Sequence, residues 1–152
     1  SPVRPNTSRG EAIKITPTLT PTVTPTPETC QGSTESLTVT ASKNKIHIGE
    51  GVTIVVTLKN EGCAGIGLPQ YSLQLTRNRK KAVLRPAKPK PITHSLGLGE
   101  GDSDQAEFFL RAVRKGQVDI FSYTSFEVSL GPQGPYYWSG TGSNHINIQV
   151  LP

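Results

Sequence analysis

Apolar and polar residues alternate with a period of two along most of the chain beyond residue 35. LTVTA (37–41) alternates, and KIHI (45–48) follows a polar turn. GEG (49–51) leads into VTIVVTLKN (52–60), a β-branched run, and YSLQLT (71–76) alternates again. AVL is a short apolar run inside a basic, Pro-rich stretch (77–93), and NEGCAGIG and GLGEGDSD read as turn regions. AEFFLRAV (106–113) and QVDIFSYTSFEV (117–128), separated by RKG, read as a hairpin. GPQGPYYWSGTG reads as a long loop and HINIQV (145–150) as the closing strand. Side chains on a strand point alternately to opposite faces, so each run presents one apolar face. No segment keeps a helical period. The pattern predicts an all-β fold: a single antiparallel Ig-like β-sandwich of about seven strands, with a closed barrel or jelly roll as the second choice.

Residues 1–29 follow a different rule and are set apart as an extended Thr/Pro-rich N-terminal arm ahead of a domain at 30–152. From Ile13 to Pro27 every odd position is apolar (Ile13, Ile15, Leu19, Val23 and prolines), and every even one is Lys14 or Thr. A threefold polyproline helix would scatter these residues around its axis, whereas an extended strand gathers them on one apolar and one threonine face. Prolines confined to odd positions remove N–H donors from one strand edge and leave the threonine edge able to pair. The arm therefore reads as a donor strand for β-augmentation, with Ile13, Ile15, Leu19 and Val23 as groove anchors. Fifteen residues at about 3.3 Å each span roughly 50 Å, more than one small sandwich covers. Neighbouring copies of the same chain are then the expected partners, and head-to-tail contacts of this kind propagate into a filament.

The threonine face, Thr16, Thr18, Thr20, Thr22, Thr24 and Thr26, supplies candidate O-glycosylation acceptors, because Thr/Pro-rich extracellular segments are typical substrates. Asn6-Thr7-Ser8 is a formal N-glycosylation sequon. The competing expectation for the same segment is a mucin-like stalk under a monomeric adhesion or carbohydrate-binding module.

Cysteine and charge narrow the setting. Cys30 and Cys63 are the only cysteines, a pair that suits a disulfide in an oxidising compartment and clamps the arm where it leaves the domain. The chain starts at Ser1, without an initiator Met; taken as a natural start, that implies a removed leader and a secreted, cell-surface location. No window holds the roughly 18 apolar residues of a membrane span. The net charge of +5 concentrates in RNRKKAVLRPAKPK (77–90), followed by the acidic EGDSDQAE, so the two segments are expected to meet within or between molecules. The basic run makes an anionic polysaccharide a candidate partner; nucleic acid is not expected, since residues 72–107 carry no Phe, Tyr or Trp.

IGEGVTIVVTLKNEG (48–62) and LGLGEGDSDQAEFFLRAVRKGQVDIFSY (96–123) resemble the bacterial adhesion-related, CARDB-like Ig-like domains. A Gly-Glu turn leads to a long strand ending in Asn-x-Gly, and a later Gly-rich turn precedes a strand pair joined at a Gly. The resemblance spans residues 36–150 and departs from the pattern at the basic insertion 77–90 and at the YYW segment. It implies an extracellular adhesion or scaffolding module without catalysis; the pilin-like donor-strand mode is an analogy from physics alone.

Catalytic and metal motifs do not assemble. His47, His94 and His145 are scattered, neither cysteine has a His at ligand spacing, and no hydrolase or phosphate-loop motif occurs. Asp102, Asp104 and Glu107 resemble a fragment of a calcium loop, but read better as an acidic turn before a strand. No catalytic residue, metal or cofactor is expected beyond covalent glycans. Tyr136, Tyr137 and Trp138 cannot all enter one core; they are the expected interface or sugar-stacking patch, the alternative being that Trp138 caps the sandwich.

Overall fold

The computed structural model describes residues 30, 32–76, 81–131 and 135–152. Eleven strands form among them: β1 (Glu35–Ala41), β2 (Lys45–His47), β3 (Gly51–Asn60), β4 (Gly65–Thr76), β5 (Leu84–Arg85), β6 (Ile92–Thr93), β7 (Gly97–Leu98), β8 (Ser103–Ala112), β9 (Gly116–Ser129), β10 (Tyr136–Gly142) and β11 (Ile146–Leu151). Two sheets result, ordered β1-β3-β8-β5 and β2-β11-β9-β4-β6, with β10 added to β9 and β7 to β4. The pairs are antiparallel except β2 with β11, which is parallel through Ile46 and Val150. The all-β sandwich read from the alternation is therefore the fold.

The inward positions of both sheets make one core. Val52, Ile54, Val56 and Leu58 of β3 face Ile120, Phe126 and Val128 of β9 and Ile148 of β11, all fully buried or nearly so. Each such side chain contributes about 1.5–3 kcal/mol relative to leaving it in water.

Three local expectations are corrected. The segments 106–113 and 117–128 do not form a hairpin: β8 pairs with β3 and β5, and β9 with β4, β10 and β11. A three-residue connection serves a hairpin or a step between facing sheets equally well, and here both strands bury an apolar face against the other layer. Gly65-Ile66-Gly67 is strand, and so is Tyr136–Gly142. β10 has no buried residue, so it carries none of the alternation that marks a strand in sequence; it forms because β9, at 14 residues, offers an edge longer than β11 covers.

The disulfide is formed: Cys30 and Cys63 are joined with Cα atoms 5.8 Å apart. The loop carrying Cys63 is pinned by Asn60, fully buried, whose Nδ2 donates to the carbonyls of Ala64 (2.7 Å) and Leu98 (2.9 Å) while Oδ1 accepts the Gly62 N–H. A Cβ at Gly62 would come within 2.9 Å of Thr34, which explains the Asn-x-Gly ending of β3 sterically. The arm, including Ile13, Ile15, Leu19, Val23 and Thr16 to Thr26, lies outside the described residues, as do Arg77, Arg79 and Lys80.

Candidate binding face

β9 divides its residues by parity. Val118, Ile120, Ser122, Thr124, Phe126 and Val128 are buried, so Asp119, Phe121, Tyr123, Ser125 and Glu127 point to the outer face of the sheet. Residues directly opposite in an antiparallel pair share a face. Tyr136 stands opposite Ser129, Trp138 opposite Glu127 and Gly142 opposite Tyr123, which places Tyr136 and Trp138 on that outer face. Tyr137 stands opposite the buried Val128 and so points to the other side, its hydroxyl approaching Gly32. The three consecutive aromatics thus do not form one patch. Trp138 is 62% exposed and does not cap the sandwich.

Other aromatic residues, not singled out in the sequence, share this face with Trp138. Tyr123, 50% exposed, lays its phenol across Gly140, where a Cβ would collide with the ring. Farther along the same face Phe121 stacks on His145, ring centroids 4.5 Å apart. The outward parity of β9 was the available signal. Beside Tyr136 the backbone lies bare at Gly65, Gly67 and Gly97, leaving a shallow depression of about 340 Å³ bordered by the Glu127 carboxylate. A β-bulge between Gly67 and Gln70 forms its rim, with Leu68 exposed in the left-handed region at φ 49°.

On the central strands of this face charge is one-sided, the cation Lys45 standing on the edge strand β2 opposite Gln149. None of β4, β9, β10 and β11 contains a Lys or Arg, in a chain of net charge +5. Its polar groups are amides (Gln70, Gln74, Asn147), hydroxyls (Ser72, Ser125) and the carboxylates of Asp119 and Glu127. Lys81, Arg85, Lys88 and Lys90 are exposed around β5 and the run into β6 instead. Among the described residues no ion pair joins them to the acidic turn.

The remaining polar cluster ties the two sheets together. Tyr71 of β4 donates its hydroxyl to Asp104 Oδ2 of β8 at 2.7 Å, and His94 Nδ1 lies 2.6 Å from the same oxygen. Burial first, and then the bond to Asp104, hold the Tyr71 phenol far above its ordinary value. Asp104 points inward and Glu107 outward on β8, while Asp102 accepts the Gly99 N–H, so the three acids of the calcium-loop fragment do not converge. Among the described residues no group of three or more His, Cys, Asp or Glu is placed to hold a metal ion.

No protein-family model matches the chain, and no curated protein sequence does. Solved structures do. The CARDB domain of a Pyrococcus furiosus protein, crystallised in complex with di-metal ions, is similar over 78% of this chain and 93% of its own, with 13% identity and a TM-score of 0.52. The solution NMR structure of that domain covers 77% and 95% at 13% identity and a TM-score of 0.47. A sporulation control protein from Bacillus subtilis covers 80% and 50% at 17% identity and a TM-score of 0.44. The sandwich is CARDB-like in fold.

Proposed function

We propose that this chain is a non-enzymatic adhesion module of an extracellular protein, and that it holds an uncharged polysaccharide on the outer face of β9 and β10. The composition of that face carries the reading: Trp138, Tyr136 and Tyr123 stand exposed among amides, hydroxyls and two carboxylates, with no cation on any of the four strands. Aromatic rings offer flat apolar surfaces to the C–H faces of sugars, and amides and carboxylates are bidentate partners for hydroxyls. A polyanion would meet Asp119 and Glu127 without compensation. The CARDB-like fold suits an adhesion-related domain, and the Cys30–Cys63 disulfide suits an oxidising compartment. Retention of the intact chain on an immobilised neutral glucan, abolished by Trp138→Ala and kept by Tyr137→Ala, tests it; equal retention of all three would refute it.

A second reading is favoured by the strict alternation of residues 13–27 and by the covalent anchor at Cys30 where the arm joins the domain. In it the arm adds as a strand to neighbouring copies and builds a filament, its threonines presenting glycans to solvent. Electron microscopy of the intact chain beside one lacking residues 1–28 separates the readings: filaments from the intact chain alone support assembly, and single particles from both exclude it.

A further inference from the structure

β4 pairs with β9 along its length, but on its other side only with β7 at Ile66 and Gly67 and with β6 at Gln70 and Tyr71. Over residues 72–75 no described strand continues that ladder. The chain leading into β6 stands off from β4, and the gap is a groove of about 510 Å³. Ser72, Leu73, Gln74 and Leu75 form one wall; Ala87, Lys88, Pro89 and Pro91 form the other.

The backbone direction inside this groove is fixed. On the β6 side the His94 N–H donates to the Pro69 carbonyl at 3.0 Å. On the β9 side the Ser122 hydroxyl donates to the Ser72 carbonyl at 2.8 Å. Backbone groups alternate sides along a strand, so Leu73 and Leu75 aim their N–H and C=O groups into the groove. Their side chains point inward, Leu73 buried and Leu75 packed against the core.

This decides which strand fits. The arm has an unbroken row of N–H donors only on its threonine positions, because Pro17, Pro21, Pro25 and Pro27 interrupt the other row. In an antiparallel pair the residue donating to Leu73 shares its inward face, which would bury threonines and expose Ile15, Leu19 and Val23. In a parallel pair the donating residues lie on the outward face. Threonines then bond β4 while facing solvent, and the apolar residues enter beside Leu73 and Leu75. The donor-poor proline edge meets the wall of Pro89 and Pro91, which have no donors either.

We infer that this groove receives the N-terminal arm of a second copy of the chain, added as a strand parallel to β4. The inference rests on the filament reading. Direction favours a second copy: parallel insertion carries the arm toward the Thr76 end of β4, whereas Cys30 of the same molecule is tied to Cys63, just before the other end, so its own arm would have to turn back along the strand. Each copy gives an arm and offers a groove, so the contact is head-to-tail and extends linearly.

Hydrogen exchange on the intact chain, at low and high concentration, tests the assignment beside the variant Thr18→Pro/Thr20→Pro/Thr22→Pro, which removes arm donors outside the sandwich. The Leu73 and Leu75 amides should exchange roughly a hundredfold more slowly at high concentration, and the variant should lose that protection. Protection independent of concentration would overturn the second copy in favour of the molecule's own arm. Filaments in which both amides exchange freely would overturn the groove while leaving arm-driven assembly intact. Absence of filaments at every concentration would remove the assembly reading itself.

Discussion

The side-chain amide of Asn144 holds both backbone groups of Val39: Oδ1 accepts the Val39 N–H at 2.8 Å, and Nδ2 donates to the Val39 carbonyl at 3.1 Å. β1 is the edge strand of its sheet, and an open edge invites pairing with other chains. Asn144 gives Val39 what a neighbouring strand would give. The two sheets thus treat their edges differently among the described residues: β1 is closed at its middle by a side chain, and no strand pairs with the outer side of β4 over residues 72–75.

Asn144→Ala removes two part-buried hydrogen bonds and opens the Val39 backbone to water, and the expected loss is about 0.5–1.5 kcal/mol. Urea denaturation measures it. Asn144→Asp keeps the acceptor and loses the donor, so its stability should fall between the two.

Tyr71 predicts a weakness to alkali. In the folded chain burial keeps its phenol neutral far above the ordinary value, while in the unfolded chain it ionises near about pH 10. The folded value is raised, so the stability it contributes is fully present below about pH 10 and falls at higher pH by up to about 1.4 kcal/mol per pH unit. Tyr71→Phe should be less stable at neutral pH by about 1.5–3 kcal/mol, the cost of a hydrogen bond to a charged group, and flatter in alkali. Parallel stability curves for the two proteins would rule this out.

Loss of the disulfide should lower stability without abolishing the fold, because Asn60 pins the same loop independently. For a sequence separation of 33 the chain-entropy model gives about 3–4 kcal/mol. Comparison of oxidised protein with Cys30→Ser/Cys63→Ser by guanidinium denaturation checks the magnitude.

Gly140→Ala tests the aromatic face without touching the core. The added methyl displaces the free end of Tyr123, so stability should stay within about 1 kcal/mol of the parent. Binding to a neutral glucan should weaken, measured by isothermal titration calorimetry.

The fold was legible wherever burial imposed alternation. β1, β3, β8 and β9 each bury every second residue, and their runs are visible in sequence. β10 was not, since an edge strand lying wholly at the surface needs no apolar face. The choice between a hairpin and a step from β8 to β9 rests on which strands find each other across the sheet, and three connecting residues do not record it. The binding face was half legible: Trp138 stood out by its aromatic neighbours, but Tyr123 and Glu127 reach it only through the register of β9 with β10. Tyr137, adjacent in sequence, is excluded by that same register.

Trp138 is the only tryptophan, so its fluorescence reports on the proposed face alone. The most direct test is titration of the intact chain with soluble neutral glucans and mannans, following Trp138 emission, with binding measured in parallel by calorimetry. A saturable blue shift that tracks the calorimetric isotherm is expected for at least one neutral polysaccharide. Emission that stays unchanged while the polysaccharide binds, or no binding across the series, would contradict it.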